Sequence, residues 1–188
     1  MKRLEQNPAP WTARRVAVRC PGGLGWGYRI SVMRKIGTTK VLFVCLGNAC
    51  RSPMAEAIAL RDAPDVIEPS SAGLTPLGRI EPMTKLTLAK NGFSSDELSS
   101  KALLAAASET ADIVINMSGR PKEAAFKGAA NVEDWTVEDP YGADAGLYQR
   151  IFEDIERRVR ELAGRLRRAE WRAGNAGNRK TKGTGRQR

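Results

Sequence analysis

Histidine is absent from this chain of 188 residues, and cysteine occurs only at 20, 45 and 50. Without histidine, and with an odd number of thiols, the sequence resembles neither a zinc cluster nor a disulfide framework. No apolar run approaches the roughly 18 residues that span a membrane. The N-terminus also lacks the apolar core of a secretory signal. A Gly-x4-Gly-Lys-Ser/Thr phosphate loop is missing, which excludes a P-loop NTPase. These absences point to a reduced, cytoplasmic protein with no membrane partner.

Acidic residues are scarce at both ends. Residues 1–35 carry eight Lys and Arg against one acid, and residues 165–188 carry nine against one. Residues 36–164 have a net charge of −5, although the whole chain is +10. Basic tails raise the reading of a non-enzymatic protein that binds nucleic acid or acidic partners. Aromatic residues interleave these tails only at Trp11, Trp26, Tyr28 and Trp171, so the charge is expected to be a solvated face rather than a nucleic-acid site.

The length suits one domain of ordinary size. Residues 1–37 contain Pro8, Pro10, Pro21 and a cluster of glycines and are expected to be a disordered basic extension. A targeting or nucleic-acid-binding arm is the functional alternative. Met33 is a candidate natural start, because Met33-Arg34-Lys35 leads directly into the first strand. The folded domain is expected over 38–168 and a disordered basic tail over 169–188.

Within the domain, strands are expected at Thr39–Cys45, Val66–Ser71, Ala111–Met117 and around Val132. Pro69 suits an edge strand, and Ser71-Ala72-Gly73 reads as a turn. Helices are expected from Pro53, as the first helical residue, to about Ala63, then over Pro82–Asn91, Leu98–Ala107 and Ser118–Lys127. A long helix over Ala145–Arg168 carries Leu147, Ile151, Ile155, Val159 and Leu162 on one face. Alternating strands and helices predict an α/β fold in three layers, with a parallel sheet between helices.

The chemistry lies where the first strand meets the first helix. Between them run Cys45-Leu46-Gly47-Asn48-Ala49-Cys50-Arg51-Ser52. Amides in such a loop and in the first helical turn lack intrahelical partners and suit an anion. Arg51 adds a planar fork for two phosphate oxygens. A cysteine at the floor of that cradle favours its thiolate form and is a nucleophile aimed at phosphorus. The Ser52 hydroxyl has two candidate roles, as a helix cap or as a donor to the sulfur. The bland alternative is a buried cysteine beside an ordinary helix start. Asp139, in Glu138-Asp139-Pro140-Tyr141-Gly142, is the candidate general acid, with Asp134, Glu138 and Asp144 as rivals. Tyr141 is either a wall for a substrate ring or a packing residue. Cys50 is either a redox partner that protects Cys45 from over-oxidation or a small filler; Cys20 has no assigned role.

Cys45 to Glu56 closely resembles the signature of the low-molecular-weight protein tyrosine phosphatases. Ser71-Ala72-Gly73 resembles that family's second marker, and Asp139-Pro140-Tyr141-Gly142 its acid loop. The resemblance covers about 38–168. It implies a four-stranded parallel sheet ordered 2-1-3-4 and phosphotyrosine hydrolysis through a phosphocysteine, with no metal or other cofactor. By position, Cys45 is the nucleophile and Asp139 the acid and then the base. Arg51 and the loop residues Leu46, Gly47, Asn48, Ala49, Cys50 and Ser52 bind phosphate. Asn48 and Ser52 also hold the loop and tune the thiolate. The implied partner is a phosphorylated protein, with a cognate tyrosine kinase opposing a monomeric enzyme.

The chain also departs from the family. Many members carry a histidine against the loop asparagine, so here another residue or water must serve. No aromatic occurs in the variable loop at Leu74–Pro82, and Tyr141 is followed by glycine. Ala49 is small where tyrosine-type members are bulky and a phosphoarginine-type relative has threonine, which keeps phosphoarginine open as a substrate. Arsenate reductases share the loop, but those coupled to thioredoxin need cysteines downstream, and none follows Cys50.

Overall fold

A computed structural model describes residues 38–181, with side chains as far as Arg172. The expectations for residues 1–37, including Cys20 and Met33, and for 182–188 lie outside the described residues. The elements run β1 (Thr39–Cys45), α1 (Arg51–Asp62), β2 (Ile67–Gly73), α2 (Pro82–Lys90), α3 (Ala105–Thr110), β3 (Ile113–Asn116), α4 (Lys122–Ala125), β4 (Val132–Asp134) and α5 (Ala145–Thr181).

The sheet has four strands in the order β2-β1-β3-β4, and every pair is parallel. Parallel neighbours need crossovers, and helices supply them. β1 is central and buried on both faces, which its unbroken run Val41-Leu42-Phe43-Val44 anticipated. Side chains alternate along it. Val41, Phe43 and Cys45 pack with Met54, Ile58, Ile155 and Leu162 of α1 and α5. Leu42 and Val44 pack with Val114 and Phe126. Cys45 thus ends β1 on the α1–α5 side, in register with Gly73 of β2. β2 lies at the sheet edge, where Pro69 costs no ladder bond.

Several boundaries differ from expectation. Helix α1 begins at Arg51, so Pro53 is its third residue rather than its first. It still lies in the first turn, where an amide has no intrahelical acceptor. Ser71-Ala72-Gly73 completes β2 instead of turning. The Ala- and Leu-rich stretch expected as helix over Leu98–Ala107 is not helical before Ala105. Ala102 bridges Gly73 in parallel, with Gly73 N–H donating to Lys101 O at 2.9 Å and Leu103 N–H to Gly73 O at 2.8 Å. The open edge of β2 needs partners more than this segment needs a helix. The helix instead starts at Ala105 and runs on to Thr110. Helix α4 is a single turn rather than the length of Ser118–Lys127.

Helix α5 buries Ile151, Ile155, Val159 and Leu162 as its periodicity required. It then continues past Arg168 to Thr181, so residues 169–181 are helical rather than the disordered tail expected. Extending a nucleated helix adds one hydrogen bond per residue, and a glycine costs it only about 1 kcal/mol. Among the described residues no helix is long and apolar enough to cross a membrane.

Candidate active site

The loop between β1 and α1 is held from outside by its carbonyls. The N–H groups of Leu74, Thr75, Leu77 and Glu81 donate to the carbonyls of Cys45, Leu46, Gly47 and Ala49 at 2.9–3.2 Å. Ser100 Oγ adds a bond to Gly47 O at 3.1 Å, and Thr84 Oγ1 one to Ala49 O at 3.0 Å. A trans peptide whose C=O points outward turns its N–H the opposite way. The scaffold therefore directs a row of donors inward, as an anion cradle requires.

The loop closes through one strained residue. Asn48 has φ of 45°, a left-handed conformation that asparagine tolerates better than most residues. Its side chain is fully buried and fully engaged. Nδ2 donates to Ser52 Oγ and to Ser71 Oγ, each at 2.9 Å, and Oδ1 accepts from Lys101 N–H at 2.6 Å. In a chain without histidine, Ser71 and the Lys101 backbone thus support the loop asparagine. Gly73 lies against this corner. A Cβ there would stand 2.8 Å from Asn48 N and 2.9 Å from Leu46 O, so only glycine allows the loop to sit on β2.

A pocket of about 220 Å³ opens above, lined by Cys45, Leu46, Gly47, Ala49, Cys50, Arg51, Thr75, Leu77, Asp139 and Tyr141. Cys45 and Cys50 are both free thiols. Cys45 Sγ lies 3.0 Å from Ser52 Oγ. No side-chain cap forms at the start of α1, so of the two roles open to Ser52 the hydroxyl takes the contact with sulfur. Arg51 is 6 % exposed. Its Nη1 donates to Met117 O at 2.9 Å and Val137 O at 3.2 Å. Its Nη2 donates to Asp139 Oδ2 at 2.5 Å. Arg51 Nε is buried without a partner among the described residues. A buried N–H without an acceptor is costly, and an oxyanion bound over Cys45 would supply one.

Asp139 is drawn to the pocket from a loop 88 residues further along by this pair, and its Oδ1 accepts from Tyr141 N–H at 3.3 Å. Two rivals are engaged elsewhere. Asp134 accepts from Asn116 Nδ2 at 2.7 Å, and Asp144 accepts from Leu147 N–H at 2.8 Å at the start of α5. Tyr141 is 54 % exposed and lines the pocket. Cys50 Sγ contacts Tyr148 Oη at 3.4 Å. Burial pushes the Cys50 thiol pKa up, against a smaller opposing effect of the Tyr148 hydroxyl. Burial likewise raises the Tyr148 pKa.

Asn48 and Ser52 are in the predicted phosphate-binding set but do not line the pocket; their side chains work beneath it. Thr75 and Leu77 line it unanticipated. The usable signal was topological: they follow β2 at the carboxyl edge of a parallel sheet, where ligands of such folds bind.

Comparison with known proteins agrees with this geometry. The chain is 32% identical over 130 residues to a putative arsenate reductase of Halobacterium salinarum, covering 66% of this chain and 91% of that protein. It is 32% identical over 146 residues to the protein-arginine-phosphatase of Bacillus subtilis, covering 68% and 97%. The fold matches the tyrosine phosphatase Wzb from Escherichia coli K30, solved in complex with sulphate, with a TM-score of 0.62 at 20% identity over 69% of this chain and 99% of the other. The sequence model described as low molecular weight phosphotyrosine protein phosphatase matches residues 40–172, which span the sheet, the cradle and the acid loop alike. The chain belongs to that family.

Proposed function

We propose that this protein hydrolyses phosphotyrosine in proteins through a phosphocysteine intermediate, opposing a tyrosine kinase. The observation that carries this reading is Cys45 at the floor of a pocket whose wall holds Arg51 with its Nε unpartnered. The Cys45 thiolate attacks phosphorus and the bond to the tyrosyl oxygen breaks. Asp139 protonates the departing oxygen. The Asp139 carboxylate then takes a proton from water as that water attacks phosphorus. The S–P bond breaks, and the thiolate and inorganic phosphate are released. Arg51 and the loop amides carry the charge of the phosphoryl oxygens throughout. Leu77 and Tyr141 flank the ring.

Asp139→Asn tests the acid. With phenyl phosphate, a poor leaving group, turnover should fall by about 10²-fold or more, while an activated ester such as para-nitrophenyl phosphate should suffer less. A variant as fast as wild type on phenyl phosphate would remove Asp139 from the mechanism.

Phosphoarginine is the second reading. It is favoured by Ala49, which lines the pocket and leaves room beside the scissile bond, and by the similarity to the Bacillus subtilis protein. Comparing kcat/KM on matched phosphotyrosine and phosphoarginine peptides separates the two. Arsenate reduction is the third, and arsenate-dependent thiol oxidation in the reduced protein detects it.

The redox role of Cys50 belongs to the same reading. Oxidised Cys45 is captured by the Cys50 thiol as a disulfide that reductant reverses. Cys50→Ser should leave turnover largely intact and make peroxide inactivation harder to reverse with dithiothreitol. Equal recovery in both proteins would exclude the pairing.

A further inference from the structure

Beneath the pocket runs a set of side chains outside its lining. Lys101 Nζ lies 3.3 Å from Glu56 Oε1, and Ser71 Oγ donates to Glu56 Oε2 at 2.5 Å. Glu56 is on α1 and 8 % exposed. From Ser71 the contacts pass through Asn48 to Ser52 and end at the Cys45 sulfur. Each link can be assigned a direction by counting protons.

A carboxylate only accepts, so the single Ser71 proton is given to Glu56. The Ser71 oxygen is then free to accept from Asn48. Lys101 N–H donates to Asn48 Oδ1, which turns the Nδ2 group toward the two serines, and both of its hydrogens are used there. Ser52 accepts one of them. Its own proton is left with two acceptors, the Cys45 sulfur at 3.0 Å and Ala72 O at 3.3 Å.

A neutral amide in place of Glu56 weakens this order, leaving it to the Lys101 N–H alone. The amide can donate to Ser71 and return the Ser71 proton to the network. The Asn48 carboxamide can then turn over and present its oxygen to both hydroxyls, so that the Ser52 proton goes to Asn48 rather than to sulfur. The turn sacrifices the bond from the Lys101 backbone N–H, which opposes it; the Lys101 side chain enters separately, as the cation against the Glu56 carboxylate.

We propose that Glu56 is a positioning residue, whose carboxylate sets the direction of this network so that Ser52 donates to Cys45, with Lys101 as its counter-ion. The proposal rests on Cys45 being the nucleophile.

The test is Glu56→Gln, made in wild type and in Ser52→Ala. Acting through Ser52, it should lower kcat on para-nitrophenyl phosphate about tenfold, the scale of one hydrogen bond to a charged group. KM and inhibition by inorganic phosphate should not change. In the Ser52→Ala background it should have no further effect, because the proton it directs is gone. The same loss in both backgrounds, weaker phosphate inhibition, or full activity of Glu56→Gln would each overturn the proposal. Lys101→Arg against Lys101→Met gives a second route if Glu56→Gln does not fold. The arginine keeps the counter-ion and should keep the rate; the methionine should lower it. Wild-type turnover that survives Cys45→Ser would defeat the functional reading itself. The cycle can then be run on the rate of Cys45 alkylation by iodoacetamide in mildly acidic buffer, read by peptide mass spectrometry. Alkylation should slow in Glu56→Gln only where Ser52 is present, and the opposite pattern overturns the proposal.

Discussion

Cys45→Ser is expected to abolish turnover and leave the protein folded. The exchange replaces one small buried atom with another in a residue that is 2 % exposed, and the new hydroxyl inherits the contact with Ser52. Packing and polar satisfaction are therefore nearly unchanged, and the melting temperature should move by no more than a few degrees. The chemistry is lost because a serine hydroxyl has to be deprotonated before it attacks. Its hydrogen-bonding neighbour is the Ser52 hydroxyl, which is not a base. Loss of a nucleophile costs at least about 10⁴-fold in enzymes whose groups act as a unit. Assays of para-nitrophenyl phosphate hydrolysis should show nothing above the buffer blank. The cradle survives, so inorganic phosphate should still bind, detectable by calorimetry. Turnover retained by the variant would mean that Cys45 does not attack phosphorus.

Arg51→Lys should cost nearly as much for a different reason. The Arg51 guanidinium joins three groups of the protein. Nη1 reaches the carbonyls that follow β3 and β4, at Met117 and Val137, and Nη2 holds Asp139. Nε is left for the anion. An ammonium offers three donors from a single point and cannot address two carbonyls, a carboxylate and a phosphoryl oxygen in four directions. Either the acid loop loosens or the phosphate loses its fork. Removing one such donor from a transition state costs about 10²–10³-fold, and here the acid is displaced as well. The expected loss is in kcat/KM, with a weaker inhibition constant for inorganic phosphate. Glu138, Asp139 and Tyr141 should become more accessible to protease. A lysine variant with wild-type kcat/KM would show that the buried guanidinium serves the fold alone.

Most of this architecture was legible in the chain. An apolar run, a glycine-bearing loop and Arg51-Ser52-Pro53 specify strand, loop and helix through local sterics and unpaired amides. The parallel sheet followed from the alternation of elements, and Asp139 could be singled out by its loop and by resemblance. The failures share one cause. Leu98–Ala107 has the composition of a helix, yet its middle pairs with Gly73. Glu56 drew notice only as the end of the Cys45–Glu56 signature, yet it is buried against Ser71 and Lys101. Thr75 and Leu77 carry no local signal of a pocket wall. Ser71 was read as part of a turn, although its hydroxyl holds Asn48 across 23 residues.

By itself, then, the sequence determined which segments are strands, which loop can cradle an anion and which thiol sits in it, because neighbouring residues set propensity, period and backbone freedom. The tertiary structure decided which donor meets which acceptor: Asp139 with Arg51, Ser71 with Asn48, and Glu56 at the far end. Those pairings join residues 15 to 88 positions apart, and no local preference reaches that far. Burial forces them, because a polar group shut away from water must find a partner wherever the packing has brought one.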